Sequence, residues 1–237
     1  MKRQHINTSI IIPAYQSQNY IIECIESIIN QNIPSQVEIL IGIDNCDLTK
    51  DVITEWNKDK NLVSMFWFNN NVGPYLIKNT LGNIAQYEYL IFFDSDDIME
   101  SKLIESTKEC SHRATTTRYK YSSLNETGKD VHVFPCAEGS FGIWKEDFIS
   151  IGGFLPWRCA ADTEFRSRVR RNFSSPEIVI NDTMFKYRAH NNSLTMKEET
   201  GFNSEIREKY ATQIKLLDAC KVTTVQFTTT PNFVGLL

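Results

Sequence analysis

The sequence of this 237-residue chain predicts an α/β fold on a doubly wound, mostly parallel sheet. Three observations lead there. Short apolar runs alternate with helical patterns through the first half. The runs are apolar at nearly every position, not at every second one. Three of the four close on Pro13, Asp44 or Asp94. Strands apolar throughout are buried on both faces, and strand–helix alternation then puts helices on both sides of a parallel sheet.

The elements follow in order. Thr8 to Ile12 is a β-branched run closed by Pro13. Asn19 to Asn30 places Ile21, Ile25, Ile28 and Ile29 at helical spacing. Val37 to Ile43 is a second strand, interrupted only by Glu38 and Gly42. Leu48 to Lys58 reads as a helix, Leu62 to Phe68 as a strand, and Pro74 to Ala85 as a helix with proline in its first turn. Tyr87 to Phe93 is a fourth strand. Beyond it, Arg113 to Asp130 is polar and reads as a loop or weak hairpin. Val131 to Phe134, Ser140 to Trp144, Ile178 to Ile180 and Met184 to Tyr187 read as strands. Lys145 to Ile151, Asp162 to Arg171 and an amphipathic Phe202 to Cys220 read as helices. No repeat or linker interrupts the chain. One domain is therefore expected over residues 1–220, with a tail at 221–237.

Composition narrows the function. Hydrophobic residues make up 41% and charged residues 23%, with a net charge of -4. No global basic field marks nucleic acid or anionic lipid as the partner. The six cysteines, Cys24, Cys46, Cys110, Cys136, Cys159 and Cys220, form no C-x-x-C pair and read as reduced thiols of a cytoplasmic protein. No cysteine–histidine cluster suggests zinc. The N-terminal apolar run is too short to span a bilayer, so any membrane contact is expected to be peripheral.

In open α/β sheets ligands sit beyond the carboxyl ends of the strands. Pro13-Ala14-Tyr15, Asp44-Asn45 and Asp94 to Asp97 occupy those places. Three carboxylates within Asp94-Ser95-Asp96-Asp97 repel one another unless a hard divalent cation, Mg2+ or Mn2+, sits among them with pyrophosphate oxygens completing its shell. The ordinary alternative is a helix start, Asp97 capping and Glu100 closing a capping box. It accounts for Asp97 but not for Asp94 and Asp96.

The chain resembles the inverting glycosyltransferases of family 2, with the GT-A fold. The resemblance runs from about residue 8 to 195. It rests on an ordered set: Ile10-Ile11-Ile12-Pro13-Ala14-Tyr15, the strand ending at Asp44, Asn71-Val72-Gly73 with Lys78-Asn79, Asp94-Ser95-Asp96, and Ala161-Asp162-Thr163-Glu164-Phe165 with Arg168. It implies a Rossmann-like sheet of GT-A type with a small additional antiparallel sheet, and a nucleotide-binding half at 1–110 followed by an acceptor-binding half at 111–220. It also implies transfer of a sugar from a nucleotide-diphosphate donor, typically a UDP-sugar, to a hydroxyl on a glycan, lipid-linked or other acceptor.

Residue roles follow from the resemblance. Pro13, Ala14 and Tyr15 would line base and ribose, and Asp44 would bind the base. Lys78, where the family more often has arginine, would reach base or phosphate without a bidentate fork. Asp94 and Ser95 would contact the donor. Asp96, Asp94 and His190 would hold the metal. Asp162 would remove the acceptor hydroxyl proton; a carboxylate opening a helix could instead simply cap it. Gly139, within Glu138 to Trp144, would border the donor sugar, a glycine admitting close backbone approach. Trp157, after Ile151-Gly152-Gly153-Phe154, would stack on a sugar ring or else sit in the core. Glu164 would contact the acceptor or support its loop. After Asp44 the sequence Asn45-Cys46-Asp47-Leu48-Thr49 departs from the family's usual Asp and Gly-Ser-Thr-Asp run. His5, His112 and His132 carry no comparable context.

Arg166, Arg168, Arg170 and Arg171 make one helix basic. Arg168 matches the family pattern. The others read as a solvated face, with an anionic acceptor, nucleic acid included, left open. Two other classes stay in play. A nucleotidyltransferase would want a glycine-rich loop after the first strand, where this chain has Gln16-Ser17-Gln18-Asn19. A non-catalytic carbohydrate-binding module would not need Asp94, Asp96 and Asp162 together.

Overall fold

A computed structural model describes residues 6–31, 36–124 and 130–236, with the side chains of 130 and 131 left aside. Met1 to His5, the 125–129 part of the polar stretch and Leu237 lie outside the described residues.

Four parallel strands form the heart of the sheet. They are β1 (Thr8–Ala14), β2 (Val37–Asp44), β3 (Ser64–Phe68) and β4 (Tyr89–Phe92), in the order β3-β2-β1-β4. Helices α1 (Ile21–Ile29), α2 (Asp47–Asn57) and α3 (Pro74–Ile84) connect them. Side chains of a strand alternate between faces, so a strand apolar throughout feeds two cores. Ile10 and Ile12 of β1 join Ile39, Ile41, Ile43 and Ile91 under α1, whereas Ile11 joins Leu40, Leu90 and Phe92 on the α3 side. Truncating any of these isoleucines to alanine costs about 2–5 kcal/mol. Pro13 lies past Ile11, the last residue of β1 paired with β4. Helix α3 starts as its sequence dictates: Gly73 precedes it at φ 87° and Pro74 occupies the first turn.

The second half extends the same sheet. After β5 (Ile98–Met99) and α4 (Leu103–Cys110) come β6 (Thr116–Leu124), β7 (Asp130–Phe134), β8 (Phe141–Trp144), α5 (Lys145–Ser150), α6 (Ala161–Asn172), β9 (Glu177–Arg188), α7 (Glu205–Ala219) and β10 (Phe233–Leu236). The strand order is β10-β3-β2-β1-β4-β8-β6-β9-β5, with β7 paired to β6. Strand β8 runs antiparallel to β4. The antiparallel strands expected as a small additional sheet thus continue the parallel one.

Three readings need correction. The polar stretch from Arg113 is no loop: it contains β6, which pairs antiparallel with β7 as the hairpin alternative expects but is also flanked by β8 and β9, with Thr116, Thr117, Arg118 and Tyr119 buried. The two strands expected at 178–180 and 184–187 are one strand, β9, whose pairing with β6 skips Asn181, Asp182 and Met184. Helix α4 begins at Leu103, so Asp97 caps no helix; its carboxylate accepts the Arg188 amide at 3.1 Å.

The tail expected at 221–237 is woven into the fold over its described residues, 221–236. Strand β10 pairs antiparallel with β3. Upstream of it, the Asn79 carboxamide on α3 donates to the carbonyls of Phe154 and Thr228, both at 2.8 Å, and the Thr230 amide donates to Thr80 at 3.1 Å. Helix α7 lies on the surface with no fully buried residue.

Candidate active site

At the carboxyl ends of β1, β2 and β4 the chain opens a cavity of about 530 Å3. Pro13, Ala14 and Tyr15 follow β1 into its wall, and Asp44, Lys78, Asp94, Ser95, Asp96, Gly139, Asp162 and His190 also line it. Residues separated by up to 177 positions are thus brought to one cleft; Trp157 and Glu164 are not among its lining residues.

Asp44 ends β2 and is almost fully buried. Its two carboxylate oxygens accept the amides of Val72 at 2.7 Å and Gly73 at 3.0 Å. Burial pushes its carboxyl above the usual range, opposed by these hydrogen bonds and the nearby Arg158 charge. Asp44 therefore shapes the Asn71-Val72-Gly73 turn while facing the cleft.

Lys78 on α3 is buried beneath the floor. It donates to Asp94 Oδ1 at 2.9 Å and to the Gly139 carbonyl at 3.0 Å. A buried ammonium needs such partners. Gly139 faces the two acids directly. A methyl group built there would stand 3.2 Å from Asp94 Oδ2, 3.4 Å from Asp162 Oδ2 and 3.8 Å from Lys78 Nζ. Asp94, Asp162 and Lys78 therefore converge on one point.

Asp162 is the second residue of α6. The position before the helix is Ala160, in the left-handed region at φ 61°, so the carboxylate does not serve as N-cap; it accepts its neighbour Thr163's amide at 2.8 Å. Tyr75 sits beside it, and burial, then the charges of Asp162 and Asp94, push the phenol well above its ordinary value. It stays a neutral phenol beside Asp162. Tyr75 carries no motif in the sequence; its one signal is its position three residues before Lys78, on the same face of α3. Arg158, Lys197 and Arg207 also line the cleft and were likewise not legible as site residues.

On the rim, Asp96 Oδ2 meets His190 Nε2 at 2.8 Å. Nδ1 of His190 is buried with no hydrogen-bond partner among the described residues, and the ring packs against Tyr20 with centroids 4.7 Å apart. The trio expected to share a metal is not drawn together, because Asp94 turns to Lys78 and no group of three acidic, histidine or cysteine side chains forms a cation site among the described residues. The donor set still fits a hard cation of the Mg2+ or Mn2+ kind, which takes one or two protein ligands and fills its shell with phosphate oxygens and water. Behind the rim, burial and then the charges of Asp96 and Asp94 push the Asp97 carboxyl well up.

Of the two expected sugar contacts away from the cleft lining, Glu164 takes the loop-supporting role and Trp157 has one ring face filled. Glu164 is fully buried and paired to the equally buried Arg168 at 2.6 Å, with no route to a ligand. Arg168 in turn donates to the carbonyls of Ile151 and Gly153, so the pair clamps α6 to the Gly152-Gly153 turn. Trp157 stacks on Tyr210 of α7, centroids 4.3 Å apart and planes 3° apart, which occupies one ring face. The basic helix is not a free cationic face either. Arg166 pairs with Glu138 and Glu177, Arg170 with Glu177, and Arg171 with Asp218.

A mixed sheet with paired acids at its carboxyl edge defines the class: GT-A glycosyltransferases. The profile of glycosyl transferase family 2 matches residues 9–132, just over half of the chain, and the chain belongs to that family. Among curated relatives, the poly(ribitol-phosphate) beta-glucosyltransferase of Bacillus spizizenii is 34% identical over 99 residues, 40% of this chain and 16% of that protein. The poly(ribitol-phosphate) beta-N-acetylglucosaminyltransferase TarS of Staphylococcus aureus is 25% identical over 130 residues, 53% of this chain and 23% of the relative. The matches thus span less than a quarter of these relatives' length. In fold, the chain is similar to S. aureus TarS 1–349 in complex with UDP-GlcNAc, with TM-score 0.67, 17% identity, and 88% and 70% of the two chains covered. It is also similar to a mannosyltransferase of Pyrobaculum calidifontis in complex with GDP-Man and Mn2+, with TM-score 0.70, 14% identity, and 90% and 65% covered. Among the described residues no helix is long and apolar enough to cross a membrane.

Proposed function

We propose that this chain, its tail included, acts as one catalytic domain that moves a sugar from a nucleotide diphosphate, a UDP-sugar first among candidates, to an acceptor hydroxyl with inversion at the anomeric carbon. The observation that carries the reading is the meeting of Asp94, Asp162 and Lys78 around Gly139 in a cleft with Asp96 and His190 on its rim. The acceptor is a glycan, a lipid-linked sugar or another polyol, met in the cytoplasm.

Each residue then has a task. Pro13, Ala14 and Tyr15 flank the base and ribose, and Asp44 fixes the turn beside them. Asp162 takes the proton from the acceptor oxygen, with Tyr75 orienting the carboxylate. That oxygen forms its bond to the anomeric carbon as the bond from carbon to the diphosphate oxygen breaks, the electron pair leaving with the diphosphate. Lys78 holds positive charge under this point and keeps Asp94 in place. Asp96 and His190 would hold Mg2+ or Mn2+, with Asp94 close by; the ion supplies charge to the departing diphosphate.

Purified protein with Mn2+ should hydrolyse a nucleotide sugar slowly and lose that activity on Asp96→Ala. Hydrolysis that persists at the wild-type rate in Asp96→Ala would refute the assignment, as would release of pyrophosphate from a nucleoside triphosphate.

A further inference from the structure

Arg118, in the middle of β6, is fully buried, and its guanidinium lies 4.4 Å from the centre of the Phe141 ring. Nη1 donates to the carbonyls of Ala137, at 3.4 Å, and Glu138, at 2.9 Å. Nε and Nη2 have no hydrogen-bond partner among the described residues; the Glu177 carboxylate stands off at 4.0 Å. An incompletely partnered cation in the interior is a liability to stability, and an apolar side chain of similar size would serve the fold as well or better. Departures from local packing rules of this kind concentrate where a site must be held. What Arg118 holds is the strand-free segment 137–139. The next carbonyl along, that of Gly139, receives Lys78, and Gly139 itself abuts Asp94 and Asp162. Neighbouring Glu138 is tied to Arg166, which is tied to Glu177. Two arginines that do not line the cleft thus grip the segment.

We propose that Arg118 is a positioning residue of the active site. By fixing the carbonyls of 137 and 138 it sets the height of the Gly139 carbonyl, and through it the place of Lys78 beneath the donor diphosphate. The assignment rests on the function proposed above and adds a residue that touches neither substrate nor metal.

The test uses the full chain, Mn2+, and UDP or GDP, whichever the wild type binds by calorimetry. Arg118→Met should keep its melting temperature within a few degrees and bind the nucleotide about 10-fold more weakly, because a displacement of a fraction of an ångström in a positioned group costs on that order. Arg118→Lys, which keeps the charge but not the fork, should fall between. The decisive measurement is a cycle with Lys78→Met: the double variant should bind no more weakly than Lys78→Met alone, since Arg118 acts through Lys78. A purely structural arginine would lower the melting temperature and give losses that multiply. Multiplying losses, or wild-type affinity in a folded Arg118→Met, overturn the assignment. Should Arg118→Met fail to fold, Arg118→Lys and its cycle decide in the same way. A wild-type protein that binds neither nucleotide overturns the proposed function itself, a failure visible before any variant is made.

Discussion

Gly139→Ala tests the geometry of the cleft most sharply. The backbone there lies outside the left-handed region, so alanine brings no conformational strain. The new methyl would meet Asp94 Oδ2 at 3.2 Å and Asp162 Oδ2 at 3.4 Å. The first contact is tight by about 0.2–0.4 Å, so Asp94 must shift by that amount. The stability effect is small: replacing glycine at a compatible position gains about 0.4–1 kcal/mol through the unfolded chain, which offsets the contact. The catalytic effect is larger. If a misplacement of about 1 Å costs about 100-fold, 0.3 Å costs about 4-fold, and the methyl also narrows the space for the reacting groups, so a loss of about 5- to 50-fold in nucleotide-sugar hydrolysis is expected. The assay is nucleoside diphosphate release with Mn2+, read beside the melting temperature. A rate within twofold of wild type in a protein of unchanged melting temperature would show that Gly139 does not border the reacting groups.

Other variants separate chemistry from framework. Asp162→Asn should lower transfer by about 100- to 10,000-fold while calorimetric affinity for UDP changes little. Arg168→Leu takes from the buried Glu164 its main partner and leaves only Arg171, at 3.8 Å; a loss of about 3 kcal/mol is expected by denaturant unfolding, with partial recovery when Glu164→Leu is added. Burial raises the Glu177 carboxyl, but hydrogen bonds from Arg166 and Arg170 outweigh it and bring it down from 4.5 to about 2. A depressed acid stabilises the fold above its unfolded value and stops doing so as pH falls through the folded one. Stability should therefore drop between pH 4.5 and 2, and Glu177→Gln should flatten that limb of the unfolding curve.

The parallel half was legible because its strands announce themselves: Ile10, Ile11 and Ile12 have no polar break, and Pro74 marks a helix start. Strand β6 was hidden because its residues, Thr-Thr-Arg-Tyr-Lys-Tyr-Ser-Ser-Leu, look solvated. Their burial is made tolerable by partners far along the chain, such as the Tyr89 hydroxyl 3.1 Å from Thr117. A one-dimensional pattern does not contain those partners. Asp44, Asp94 and Asp96 were readable from their place after strands, whereas Asp162, at the start of a helix, was readable only through the family resemblance. The destination of Glu164 was not, because a helical glutamate four residues before an arginine looks the same whether it faces a ligand or an interior clamp. Tyr75 went unseen for the complementary reason: a tyrosine among apolar residues gives no sign that a carboxylate stands nearby in the fold.

The seam between β10 and β3 bears on how the protein can be handled. A polypeptide trimmed at residue 220 would leave the β3 edge, Met65 to Phe68, bare of its pairing partner and deprive the Asn79 carboxamide of one of its acceptors. Naked apolar edges recruit other chains. Such a truncation would show up first as clumping, and lost turnover in it would say nothing about the acids of the cleft.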